Sequence, residues 1–228
     1  MNRKKILITG HSSGLGKHIV EDLLSTNEYE IVGIARRKIN HHPLLHQITC
    51  DLSNYTEVKK LNHSLSKYKF DIIVLNAGAN TIKPAEAYQI DEIQKLIQLN
   101  FTSHALIFRM CINGLIKTKG LVIGVGSYSG KDIKRWNNYY GASKAAFHHF
   151  MHNMFEQYRK QDVKFSLIIP DIINSPFYEK QDYKPIPDTK HSLEINQISN
   201  FICNQLIKNK TEFYPLETVF RPLNFILK

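Results

Sequence analysis

Tyr140 and Lys144 stand one helical turn apart in the stretch WNNYYGASKAAF, residues 136–147. Side chains at i and i+4 share one face of a helix. A tyrosine with its ordinary pKa of about 10 is a poor proton shuttle near neutrality. A nearby ammonium favours the phenolate and lowers that value. The pair can then give a proton to a carbonyl or take one from an alcohol. Tyr139 has Ser143, not a lysine, at its own i+4 position and reads as a packing or pocket-wall residue. Ser127 lies thirteen residues before Tyr140, in GVGSYSG, where a strand is expected to end. From there it can hydrogen-bond the oxygen that Tyr140 serves.

A second group of residues suits a dinucleotide. TGHSSGLG, residues 9–16, places Gly10, Gly14 and Gly16 between a strand and a helix, with Ser12, Ser13 and Leu15 in the turn. Glycines allow a tight turn and close approach, and the free N–H groups of the helix start face an anion. The pattern is GxxxGxG, and a plain tight turn is the other reading. The second strand ends in GIARRK, where this kind of fold meets the adenosine ribose. Arg36 and Arg37 stand there without an acidic residue, which favours NADP(H) over NAD(H), the latter remaining possible. Asp51, followed by Leu52, ends the third strand; it either receives the adenine amine or caps the next helix. Asn76, Ala77 and Gly78 close the fourth strand with small residues that let a cofactor lie near the backbone.

These positions must be held by elements, and the pattern supplies them. Short Ile/Val-rich runs at 4–9, 29–35, 46–50, 70–76, 120–126 and 163–169 show little polar alternation. That is the signature of parallel strands buried on both faces. Amphipathic stretches at 14–26, 54–67, 90–117, 138–160 and 194–208 alternate with them. The expected fold class is α/β: a single domain over 1–228 with a doubly wound parallel sheet flanked by helices on both faces. The segment 171–193 is Pro-rich and breaks the rhythm, as a substrate loop or lid would. Its Phe177, Tyr178, Tyr183, Lys180, Lys184 and Lys190 suggest a flat or apolar substrate with an acidic group, as do Tyr128, Lys131, Lys134, Arg135 and Trp136; a polar lid with packing aromatics is the alternative.

The bulk numbers narrow the classes. The 228 residues are 43% hydrophobic and 22% charged, an ordinary globule. Three scattered cysteines, Cys50, Cys111 and Cys203, form no CxxC and no disulfide framework, which suits reduced thiols in the cytoplasm. The N-terminal ILI run is too short for a signal peptide, and no apolar stretch can span a bilayer. The net charge of +10 is dispersed rather than clustered, so no nucleic-acid partner is expected. His148 and His152 have a metal-ligand spacing without a third ligand, so no metal is expected.

Taken together, these motifs resemble the short-chain dehydrogenase/reductase family, which has a Rossmann-type fold. Its TGxxxGxG pattern matches Thr9 through Gly16, its NAG matches 76–78, its serine matches Ser127, its YxxxK matches Tyr140 and Lys144, and its asparagine matches Asn100 in QLNFTS. The resemblance spans roughly residues 4–176. It implies that Tyr140 is the general acid/base and that Lys144 lowers its pKa and holds the nicotinamide ribose. It further implies that Ser127 orients the substrate oxygen and that Asn100 supports a water linking Lys144 to solvent. After the sixth strand the family has Pro-Gly and then a threonine. Here PDIINS places Pro170, Asp171, Ile173 and Ser175, so Ser175 stands for the threonine and Asp171 for the glycine. The expected partner is a small carbonyl or alcohol. The C-terminal stretch lacks the family's glycine-rich last strand and tail, which argues against a tetramer. A homodimer through 90–117 and 138–160 is expected instead. A dinucleotide-binding sensor without turnover is the alternative function; the intact Asn100, Ser127, Tyr140 and Lys144 set argues against it.

Overall fold

A computed structural model describes residues 3–133, 135, 137–178, 190–209 and 214–223. Six strands form where Ile and Val cluster: β1 (Lys4–Thr9), β2 (Tyr29–Ala35), β3 (Leu45–Thr49), β4 (Ile72–Leu75), β5 (Leu121–Val125) and β6 (Lys164–Pro170). A minor pair, β7 (Ile173–Asn174) and β8 (Leu193–Glu194), forms a separate parallel ladder. A further strand, β9 (Glu217–Phe220), completes the main sheet. The order is β3-β2-β1-β4-β5-β6-β9, all parallel. The order reverses between β1 and β4, the switch point at which doubly wound sheets bind ligands.

Helices cover both faces, as parallel strands require. On one face α2 (Tyr55–Leu65), α4 (Ser103–Thr118) and α5 (Asn138–Tyr158) bury Val58, Leu61, Ile107, Phe108, Leu115, Phe147 and Met151 against the sheet. On the other, α1 (Gly14–Leu24) and α6 (Ile195–Asn200) bury Ile19, Val20, Leu23, Ile198 and, in the turn after α6, Ile202 and Leu206. The helix starts follow local chemistry. The Asn54 side chain accepts from the N–H groups of Thr56 (3.0 Å) and Glu57 (3.2 Å), satisfying two of the orphan donors at the start of α2.

Three sequence expectations change. The helix expected over 90–117 is α3 (Ile90–Ile97) and α4 joined by a π-helical turn at Gln98–Thr102. Such turns accommodate one extra residue and occur frequently at functional sites. The helix expected over 194–208 is likewise α6 followed by a π-helical turn at Phe201–Ile207. The C-terminal stretch does supply a last strand: β9 pairs with β6 from Leu167↔Glu217 to Pro170↔Phe220 without any glycine. Pairing through backbone groups at a half-exposed edge makes no demand for glycine, and Ile168 and Ile169 of β6 provide the neighbour. The expected loop 171–193 contains β7 and the start of β8; its residues 179–189, with Lys180, Tyr183 and Lys184, lie outside the described residues, as do Lys134 and Trp136.

Candidate active site

The carboxyl ends of β1, β2, β4, β5 and β6 open onto a cleft of about 730 Å³. Of the sequence candidates, Gly10, Ser12, Ser13, Gly14, Leu15, Arg36, Arg37, Asp51, Leu52, Asn76, Ala77, Gly78, Ser127, Tyr140, Lys144, Pro170, Ile173 and Ser175 all line it. Gly16 and Asn100 do not; both act from behind the wall. A Cβ on Gly16 would sit 2.3 Å from the Gly10 carbonyl oxygen, so this position holds the turn closed rather than facing the cleft. Gly10 and Gly14 have φ of 73° and 51°, the left-handed region that glycine enters without cost. A Cβ at Gly14 would meet nothing within 4 Å, so the turn is open towards the cleft. This cradle at the start of α1 fits a diphosphate.

Thr9 locks the cradle to the NAG stretch. Its buried hydroxyl accepts from the N–H groups of Asn76 (2.9 Å) and Ala77 (3.0 Å), and the Asn76 amide donates to the Thr9 carbonyl (3.0 Å). At the end of the cleft beside β2, Arg36 and Arg37 are exposed on the rim. One Asp51 oxygen accepts from the N–H (3.0 Å) and hydroxyl (2.7 Å) of Ser53. Asp51 therefore braces the turn before α2, and the cap of that helix falls to Asn54.

At the opposite end Tyr140, Lys144 and Ser127 converge, all buried. Tyr140 and Lys144 come from one face of α5, and Ser127 from the turn after β5. The Ser127 side chain acts on the Tyr140 phenol in the sense that favours the phenolate. Burial outweighs it and pushes the phenol up to about 12. Burial likewise brings the Lys144 ammonium down to about 8, and its Nζ donates to the Val125 carbonyl (3.0 Å). The expected lowering of the phenol by Lys144 is thus not what this geometry gives; desolvation of both charges dominates. Asn100 is fully buried behind Gly78. Its Oδ1 accepts from the Ala79 N–H (3.0 Å), and its Nδ2 donates to the Ala79 carbonyl (2.9 Å) and to Ser143 Oγ (3.1 Å). The Ser143 hydroxyl in turn donates to the Tyr140 carbonyl (2.7 Å). Asn100 so ties the strand end at 78–79 to the helix that carries the phenol.

Several contributors were not evident beforehand. His148 Nε2 accepts the Ser127 backbone N–H, and His152 faces Glu217 at 3.3 Å. Their helical spacing serves these contacts, and no group of three or more His, Cys, Asp or Glu side chains is arranged for a metal among the described residues. The signal was present as a polar stripe of Tyr140, Lys144, His148 and His152, four residues apart along α5. Asp171, whose side chain is 3% exposed, pairs with Arg221 at 3.3 Å. Arg221 also donates to the Tyr128 hydroxyl (3.0 Å) and stacks on that ring at 4.0 Å. The residue after β9 thereby braces the rim beside Ser127. Lys131 is engaged by Glu217. Tyr139 packs edge-on against Tyr88, with ring centroids 4.9 Å apart. Pro176, Phe177 and Tyr178 line the mouth, the Phe177 ring 6.4 Å from that of Tyr140.

A glycine cradle at the switch point of a parallel sheet, with its cleft reaching a buried Ser–Tyr–Lys group, defines a Rossmann-type nucleotide-binding oxidoreductase. The chain belongs to the short-chain dehydrogenase/reductase family: the family model for short chain dehydrogenases matches residues 4–185. It is 28% identical over 190 residues to the Arabidopsis thaliana protein 11-beta-hydroxysteroid dehydrogenase-like 3, covering 76% of this chain and only 60% of that relative's length. It is 23% identical over 207 residues to the sorbitol-6-phosphate 2-dehydrogenase of Klebsiella pneumoniae, covering 85% of this chain and 78% of that one. Its fold matches that of an alcohol dehydrogenase from the archaeon Thermococcus sibiricus, solved with 5-hydroxy-NADP, with a TM-score of 0.84, 22% identity and 97% of each chain covered. A 4-hydroxyisoleucine dehydrogenase solved with NADH and succinate matches with a TM-score of 0.78 at 22% identity, over 94% of this chain and 96% of that one.

Proposed function

We propose that this chain interconverts a small carbonyl compound and its alcohol with NADP(H), Tyr140 acting as general acid and base. The observation that carries this reading is the convergence of Ser127, Tyr140 and Lys144, all buried, on one cleft, with Lys144 one helical turn beyond the phenol. When bound, the nicotinamide dinucleotide supplies or takes up the hydride. Ser127 orients the substrate oxygen toward the phenol, and Tyr140 holds the proton that this oxygen gains or loses. Lys144 holds the nicotinamide ribose, and Asn100 keeps the 78–79 backbone and α5 in register. Gly78 keeps this end clear: a Cβ there would come within 3.2 Å of Asn100 Oδ1 and 3.5 Å of Lys144 Nζ.

The adenosine end supports NADP(H) over NAD(H) through Arg36 and Arg37, since guanidinium groups suit a phosphate and no carboxylate follows β2. Pro176, Phe177 and Tyr178 favour a substrate with an apolar or flat part. Of the cations that suggested an acidic group on the substrate, Lys131 is engaged by Glu217. We read 1–228 as one domain with 171–193 as its substrate loop, working as a cytoplasmic homodimer. Three buried free thiols suit a reducing compartment, and no helix among the described residues is long and apolar enough to cross a membrane.

The test is Tyr140→Phe assayed with NADPH against a carbonyl panel. NADPH binding, followed by fluorescence, is expected to stay within about twofold while turnover falls by roughly 10²–10⁴-fold, the usual contribution of a positioned acid. Undiminished turnover would sink the assignment.

A further inference from the structure

The loop that carries the two arginines is tied down by side chains outside the cleft. Gln47, on β3, grips the backbone of Ile39 at both polar groups. Its Oε1 accepts the Ile39 N–H at 2.7 Å, and its Nε2 donates to the Ile39 carbonyl at 3.0 Å. That double contact fixes which end of the amide is oxygen. His11 Nε2 lies 2.9 Å from the same Oε1, so it must be the ring nitrogen that carries the proton. His11 belongs to the phosphate turn, directly after Gly10, and is fully buried.

The sheet register explains how the ring gets there. Gln47 pairs with Gly33 of β2. A Cβ on Gly33 would lie 2.5 Å from His11 Cγ, so only glycine leaves the slot in which the imidazole rests beside the Gln47 side chain. At the near end of the loop the Ala35 carbonyl accepts the Cys50 N–H at 3.0 Å. Residues 36–38 are therefore a short span held at both ends, and Arg36 and Arg37 sit on it. The other His11 ring nitrogen, Nδ1, is buried without a hydrogen-bond partner among the described residues. Such a group is costly to bury, yet the imidazole is seated in this slot all the same.

We propose that His11 and Gln47 are specificity-determining positioning residues: they strap the phosphate turn and β3 to the 36–39 loop and so hold Arg36 and Arg37 where a phosphomonoester on the adenosine ribose is recognised. This rests on the NADP(H) reading above. The strap touches neither the hydride nor the proton end of the cleft, and Gln47 lies outside the cradle, so the Gln47 end of the strap acts on affinity for the phosphorylated adenosine.

The test is calorimetric titration with adenosine 2′,5′-bisphosphate and with 5′-AMP, which needs no turnover. Wild-type protein is expected to prefer the bisphosphate by at least about tenfold, a charge-assisted contact's worth. Gln47→Met, of similar size but without the amide, is expected to cut that preference roughly five- to tenfold while 5′-AMP binding stays within about twofold. His11→Ala, which removes one bond to Gln47, should move the preference the same way by less, and it serves if Gln47→Met does not fold. In turnover, Gln47→Met raises KM for NADPH while kcat and KM for NADH hold. A wild-type preference that survives both substitutions overturns the strap and leaves the cofactor reading standing. A wild type that does not discriminate overturns the cofactor reading and the strap with it.

Discussion

His148 and Ser127 meet across the top of β5: the imidazole Nε2 accepts the Ser127 backbone N–H at 3.2 Å. The ring is wedged against the turn, since a Cβ on Gly126 would lie 2.3 Å from the same nitrogen. Burial, with help from the Lys144 charge, lowers this histidine to about 4, so it remains the neutral acceptor at any working pH. It fixes the backbone of Ser127 at the end of β5.

His148→Leu keeps the helix and removes the acceptor. An orphaned buried N–H costs about 1–3 kcal/mol, and the turn can relieve it only by moving Ser127. The expected result is a drop in kcat of about tenfold or more with NADPH affinity within twofold, while His148→Gln recovers part of the loss. Equal kcat in wild type and His148→Leu would show that the contact is only packing.

The pH profile follows from the phenol. With Tyr140 raised to about 12, the proton sits on the phenol through the neutral range. Carbonyl reduction, which consumes a proton at the substrate oxygen, meets the acid in its working form and should be nearly flat between about pH 6 and 8. Alcohol oxidation needs the phenolate and should climb by up to roughly tenfold per unit in the same window. An oxidation rate indifferent to pH would place the base elsewhere.

Stability should carry the mark of His104. This side chain on α4 is fully buried, neither ring nitrogen has a hydrogen-bond partner among the described residues, and burial lowers it to about 3. Below the ordinary histidine value near 6.5 the unfolded chain takes up protons that the native state refuses. Native stability is therefore expected to fall as pH drops from about 6.5 towards 4, His148 adding in the same sense. His104→Leu should leave or raise the melting temperature at pH 7 and flatten its decline on acidification. A variant as acid-sensitive as wild type would move the effect to other groups.

Gly16→Ala and Gly14→Ala separate two demands on the cradle. A Cβ at Gly16 would collide with backbone, the Gly10 carbonyl, whereas one at Gly14 enters open space and meets only the strain of a positive φ, about 1–2 kcal/mol. Gly16→Ala is expected to lose dinucleotide affinity by at least about tenfold and to melt earlier. Gly14→Ala should fold with the milder loss, as fluorescence titration and thermal melts would record.

The sheet and the Tyr140–Lys144 pair could be read from the chain because each rests on local rules. Buried parallel strands carry Ile and Val on both faces, and i,i+4 spacing places two side chains on one side of a helix wherever the helix lies. The rest depended on contacts between distant segments. Nothing in ETVF marks β9, which is four residues long and half exposed. Asp171, which stands where the resemblance has a glycine, finds its partner in Arg221, fifty residues later. The phenol's pKa direction depends on burial for a related reason: spacing shows a neighbouring ammonium but not how dry the pocket is. The π-helical turn was hidden because the apolar pattern runs on through 90–117.

That turn also separates two angular requirements. In an uninterrupted α-helix each residue advances by about 100°, so the direction of position 100 would be dictated by Ile107, Phe108, Cys111 and Leu115, which must face the sheet. The extra residue in the wide turn breaks that dependence. Asn100 can be aimed at Ala79 and Ser143 while α4 keeps its apolar stripe on the core. The fold can thus alter the orientation of its polar hub without repacking its interior, as an adjustable joint sets a tool apart from the arm that carries it.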